Sequence, residues 1–146
     1  MVHYFRIAPD EKLPDISQFA PFRAVIVLNA DYSSDWQNET SNWLVRSGCL
    51  YMMAWGPKCS GWDDSVDWAN IDEFNCRDIP ADRFVMTTWH NDETLESVFW
   101  FAGGCAFHPT VELRDTLIIH VAHEDREAEF LRLFEEAKTL PDRESD

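Results

Sequence analysis

The sequence predicts an α/β fold: a three-layer sandwich with a mostly parallel sheet of four to five strands, in the Rossmann- or flavodoxin-like class. Three observations carry that reading. Four short apolar runs are continuous rather than alternating, as strands buried on both faces tend to be. A helical pattern follows each run, and strands alternating with helices imply parallel pairing through right-handed crossovers. The chain has 146 residues and is 45% hydrophobic, which suits one domain over residues 1–146 and leaves no room for two.

Val2–Ile7 adds a candidate edge strand. Residues 8–22 hold Pro9, Pro14 and Pro21 and read as a tether. Ala24–Ala30 (AVIVLNA) is the first central run. Ser34 then begins a helix, with Gln37 as the far half of a capping box and Gly48 as the left-handed stop. The second run is Cys49–Trp55 (CLYMMAW). Ser60 caps the helix after it, with Asp63 at N3 and Trp62, Val66 and Ala69 on one face. Phe84–Trp89 (FVMTTW) leads to a helix from Asp92 to Gly103-Gly104, whose stripe is Leu95, Val98, Phe99 and Ala102. Thr116–Val121 (TLIIHV) precedes the last helix, striped by Phe130, Leu133, Phe134 and Ala137. Residues 141–146 are expected to fray.

Charge and cysteine usage narrow the class. The net charge is −15, which repels nucleic-acid phosphates and anionic lipid surfaces, so neither is an expected partner. The N-terminus lacks the basic start, apolar run and cleavage site of a signal peptide. No stretch approaches the ~18 apolar residues of a membrane span. Cys49, Cys59, Cys76 and Cys105 form no CxxC pair. A helix between Cys59 and Cys76 would hold them beyond the ~7 Å disulfide limit. Free thiols in a reducing cytoplasm are the expectation.

In an open parallel sheet, ligands bind beyond the carboxyl ends of the strands. That places Asp31, Cys59, His90 and His123 in four loops that could converge as nucleophile, base or metal ligands. Each has a plainer role to weigh against it. Asp31, Asp92 and Asp125 lie where helix starts favour carboxylates. A helix start lowers the pKa of a thiol such as Cys59, but Asp63 and Asp64 oppose that. His90 and His123 can simply bond loop carbonyls. His120 reads as a packed core histidine, and nothing singles out His3 or His108. Gly56 and Gly61 have phosphate-loop spacing, yet Trp62-Asp63 replaces the Lys-Ser/Thr pair, and Ser65 stands where a cysteine phosphatase needs Arg. The first strand–helix turn has no glycine, so the dinucleotide fingerprint is missing. HExxH and paired CxxC motifs are absent, and a metal site could only be assembled from Asp31, His90 and His123. No cofactor is expected.

The second helix offers a different clue. Trp68 and Ile71 point away from Trp62, Val66 and Ala69, and Asp64, Asp67 and Asp72 flank them. Residues 59–82 carry seven acids (Asp63, Asp64, Asp67, Asp72, Glu73, Asp78 and Asp82) against one base, Arg77. Trp100 lies off the third helix's stripe, near Glu93 and Glu96. Tryptophans ringed by carboxylates fit a basic protein partner: the aromatic anchors, and the acids steer and fix register. The plainer reading is that residues 72–81 and 103–112 cover both rings. The expected function is an acidic cytoplasmic protein-binding module, by analogy an immunity or inhibitor protein for a basic toxin. The alternative is a small α/β enzyme or ligand sensor using the strand ends.

Residues 41–56, including Ser41-Asn42-Trp43-Leu44-Val45 and Gly48-Cys49-Leu50-Tyr51, are followed by Trp62-Asp63-Asp64-Ser65-Val66-Asp67. Together with Thr87-Thr88-Trp89-His90 and Phe107-His108-Pro109-Thr110-Val111-Glu112, they resemble an uncharacterised bacterial family, a domain of unknown function. The resemblance spans most of the chain. It implies a bacterial, cytosolic, single-domain protein and brings no activity, cofactor or catalytic residue.

Overall fold

Among the described residues five strands, β1 (Val2–Ile7), β2 (Phe22–Leu28), β3 (Cys49–Trp55), β4 (Met86–His90) and β5 (Asp115–Val121), form one sheet in the order β1-β5-β2-β3-β4. Every pairing is parallel. Four α-helices among the same residues, α1 (Ser34–Ser47), α2 (Trp62–Glu73), α3 (Leu95–Gly104) and α4 (Glu127–Ala137), accompany it. These coordinates are a computed structural model that describes residues 1–140, so the expected frayed tail lies outside the described residues.

Alternate residues of the central strands enter two separate cores. Ala24, Ile26 and Leu28 of β2 pack with Trp36 and Leu44 of α1 and with Trp62 and Val66 of α2. Val25 and Val27 pack instead with Val98 and Phe99 of α3 and with Phe130 and Phe134 of α4. Helices therefore cover both faces, and β2, β3 and β5 are buried nearly throughout. Two-sided burial is why these three runs are apolar without alternation.

β4 departs from the expectation of a strand buried on both faces. It lies at the sheet edge, starts at Met86 rather than Phe84, and all its residues but His90 are half-buried or exposed. Its two threonines and one histidine fit a strand with one open side. β1 is the opposite edge, as Val2–Ile7 suggested. The proline segment is more than a tether: Ile16 is fully buried, and Trp43 Nε1 donates to the Pro14 carbonyl at 2.8 Å.

Helix α1 begins at Ser34 as expected, but its cap differs, and α2 and α3 start later than the sequence suggested. Ser33, not Ser34, caps α1 by accepting from Trp36 N–H, while Gln37 reaches across to the Gly61 carbonyl and Ser65. α2 is entered through a 3-10 turn at Cys59–Gly61, with no side-chain cap from Ser60. Thr94, not Asp92, caps α3. Of the three candidate capping acids only Asp125 bonds a helix-start amide, accepting from Glu127 N–H at 2.9 Å, although Arg126 holds the N-cap position of α4.

Gly48 ends α1 at a φ of 102°, as expected. Gly56 ends β3 at a φ of 117°, and a Cβ there would lie 2.7 Å from the Leu28 carbonyl oxygen. Gly56→Ala should therefore cost about 2–4 kcal/mol through combined backbone strain and overpacking. Urea denaturation would show it as a lower midpoint with an unchanged slope.

Candidate functional site

β2 runs on into α1 on one face, while its neighbour β5 runs on into α4 on the other. Their carboxyl ends thus border a topological switch point, where open α/β sheets hold ligands. A cleft of about 520 Å³ opens there, lined by Asn29, Asp31, Tyr32, Lys58 and His123 among others. A second hollow of about 310 Å³ shares Asn29 and His123 and is bordered by His120, Glu124 and Arg126. Two of the four loop candidates, Asp31 and His123, meet in this place.

The other two sit between the ends of β3 and β4. Cys59 is buried, and burial is the main cause that raises its thiol pKa, against a partly offsetting hydrogen bond from the His90 backbone. A buried, protonated thiol is a poor nucleophile. His90 is 7% exposed and has both ring nitrogens engaged, Nδ1 with Glu93 Oε2 and Nε2 with Thr88 Oγ1, each at 2.9 Å. Glu93 in turn accepts from Ser97 Oγ at 3.2 Å, and the imidazole lies against Phe101. This chain staples β4 to α3 and leaves His90 no lone pair for a metal or a substrate proton.

No hydrogen bond or ion pair joins the Asp31/His123 pair to the Cys59/His90 pair. Among the described residues, no group of three or more His, Cys, Asp or Glu side chains could hold a metal ion. The metal site assembled from Asp31, His90 and His123 is therefore not formed. All four cysteines are free, and among the described residues no helix is long and apolar enough to cross a membrane.

The acidic face is the other candidate. Trp68 is 64% exposed on α2, so residues 72–81 do not cover it. Asp64, Asp67 and Asp72 are exposed around it, with Ile71 half-buried. Trp100 is different: it is half-buried against the core of α3 and α4, on the opposite side of the sheet from α2. The aromatic that sequence reasoning missed is Trp89. It is 44% exposed on β4, two residues from Thr87, whose hydroxyl reaches Asp67 Oδ1 at 3.3 Å. Residues two apart on a strand share a face, so Trp89 and Thr87 lie on the α2 side of the edge. The polar character of MTTWH was the available signal, because an edge strand can leave a tryptophan uncovered.

The carboxylates here are crowded. Partial burial raises the Asp67 pKa, and repulsion from Asp63 and Asp64 adds to that, while the Thr87 hydroxyl works against it. One Asp63 carboxylate oxygen is shielded from solvent with no hydrogen-bond partner. Among the described residues β4 pairs only with β3 and so forms a sheet edge, the kind of template to which another strand can add.

A family model described as "Domain of unknown function (DUF7684)" matches residues 2–137, and the chain belongs to that family. No curated protein and no solved structure matches it.

Proposed function

We propose that this DUF7684 domain is an acidic protein-binding module whose working surface is the outward face of α2 together with the open edge of β4. The observation that carries this reading is the pair of exposed tryptophans, Trp68 and Trp89, on the same side of the sheet edge as Asp64, Asp67 and Asp72. Exposed tryptophans are the strongest interface anchors. Carboxylates beside them favour Lys- and Arg-rich partners and speed encounter. A cation placed at Asp67 would relieve the repulsion from Asp63 and Asp64, so the basic partner gains from a strain already present in the free protein. An extended basic segment could add to β4 as a further strand, its backbone meeting the open edge and its basic side chains meeting α2. An immunity or inhibitor role against a basic toxin is the functional class this surface fits, by analogy.

The test begins with capture of a partner by the full chain in the native host, identified by mass spectrometry and then purified. Trp68→Ala and Trp89→Ala should each weaken binding about thirtyfold, the equivalent of ~2 kcal/mol for an interface anchor. Asp67→Asn should also weaken binding while leaving thermal stability unchanged or slightly higher, since it removes a repulsive charge. Affinity should fall as salt rises, because exposed charges are screened over about 8 Å at physiological ionic strength. A partner whose binding ignores salt and both tryptophan variants would overturn the proposal.

A further inference from the structure

The crevice between β2 and β5 is far from exhausted by the protein-binding reading and stands independently of it. Its floor holds a chain of hydrogen bonds that joins β1 and β5 to the residues just after β2 and just before α4. Arg126 N–H, just before α4, donates to Tyr4 Oη at 2.9 Å. Tyr4 Oη lies 2.7 Å from His120 Nδ1, and His120 Nε2 lies 2.7 Å from Asn29 Oδ1.

The direction of each bond follows from chemistry. Burial raises the Tyr4 pKa, so the phenol keeps its proton, and having accepted from Arg126 it donates to Nδ1. The imidazole is neutral near pH 7, its pKa lowered to about 4 chiefly by burial. A neutral ring that accepts at Nδ1 carries its proton on Nε2 and donates to Asn29 Oδ1. The Asn29 carboxamide is thereby oriented with its NH₂ left over, in an exposed residue that lines both hollows. Two N–H donors are held in place at the switch point by a chain whose central pair, Tyr4 and His120, is buried.

The walls supply charges of both signs. Asp31 follows β2 and Lys58 follows β3, and both line the 520 Å³ cleft. Among the described residues, neither side chain makes a hydrogen bond or an ion pair, with each other or with anything else. Lys58 is held at a φ of 62° directly after Gly56-Pro57. A divalent anion such as phosphate would meet Asp31 and, in the adjoining hollow, Glu124. A metal ion would find no third ligand.

We propose that this crevice binds a small zwitterion of the free α-amino-acid class, with Asn29 Nδ2 and Lys58 receiving the carboxylate and Asp31 receiving the ammonium. Opposite charges left unpaired on facing loops, beside a fixed amide donor, match a ligand with one charge of each sign and no net charge. The volume is within the range of small-molecule sites, roughly 300–1,000 Å³.

The experiment uses the full chain, isotopically labelled, titrated with each free α-amino acid in turn and read by amide chemical shifts. For each one that binds, the matching deaminated acid and decarboxylated amine are titrated as well. At least one amino acid should shift the amides of Asn29, Asp31, Lys58 and His123 at millimolar concentration or below. Both truncated analogues should bind about tenfold more weakly, each having lost one charged contact. Lys58→Gly, which a positive φ accommodates without strain, should keep the fold and lose affinity by a similar factor. Asn29→Asp should abolish binding by placing a carboxylate against the ligand's own. If Asn29→Asp does not fold, Lys58→Gly decides alone. The proposal fails if no amino acid moves those resonances, if a truncated analogue binds as well as its parent, or if Lys58→Gly binds unchanged.

Discussion

Trp62→Ala should cost about 3–5 kcal/mol, the range for truncating a buried large aromatic. Trp62 is fully buried, and its ring meets Tyr32 and Trp36 edge-on with centroids 5.7 and 6.4 Å away. Its Nε1 donates to Tyr32 Oη at 3.0 Å. Truncation leaves a large cavity beneath α2 and removes the donor that holds the Tyr32 hydroxyl. A domain has only about 5–15 kcal/mol of stability, so roughly a fifth or more is at stake. α2 is fixed to the sheet by Trp62, Val66 and Ala69, and Tyr32 lines the crevice. Both proposed surfaces should therefore suffer together. Trp62→Phe keeps most of the apolar volume and should fall between wild type and the alanine variant. Urea denaturation of the three proteins measures the series. A loss below about 1 kcal/mol for the alanine variant would show that α2 is anchored by something else.

Acid should destabilise the protein through His120, by roughly 3 kcal/mol between pH 6.5 and pH 4. The side chain is 1% exposed and lies 4.4 Å, centroid to centroid, from Phe130. Burial is the first cause that holds its pKa down to about 4, and the positive charges of Arg126 and Arg6 add to it against the pull of Asp125 and Glu129. An unfolded histidine titrates near 6.5. Between those values the unfolded chain binds the extra proton and the folded chain does not, so stability is complete above pH 6.5 and declines as pH falls toward 4. The slope approaches ~1.4 kcal/mol per pH unit, and below pH 4 this contribution is flat. Carboxylates titrate over part of the same range, so the clean measurement is a difference. The stability advantage of wild type over His120→Gln should shrink by about 3 kcal/mol on going from pH 7 to pH 4. An imidazole resonance of His120 that titrates near 6.5 in the folded protein would refute the burial argument.

Strand and helix types were legible because burial leaves a local imprint. Runs such as VIVL in β2 and LII in β5 are apolar at consecutive positions, which only two covered faces explain. The Phe99, Phe130 and Phe134 stripes likewise announced helices with one buried face. Edges were harder. FVMTTW resembles a central run until its threonines are weighed, and its Trp89 is exposed at a strand that is the sheet edge among the described residues. Trp100 misled for the complementary reason: its helical angle points off the Leu95/Val98 stripe, but the core of α3 and α4 is wide enough to half-bury it. Cap positions slipped by one or two residues where Ser33 competed with Ser34, and Thr94 with Asp92.

What the amino-acid order determined unaided was the alternation of two-sided strands with one-sided helices, and with it a parallel sheet. Strand order was decided only in three dimensions. The chain returns from β4 to insert β5 between β1 and β2, and that insertion is what places His120 against Tyr4 and Asn29, separated by 116 and 91 positions in the sequence. Periodicity records how deeply each residue is buried, because burial acts on one residue at a time. Which neighbour it is buried against depends on pairing between segments far apart in the chain, and no local pattern carries that information.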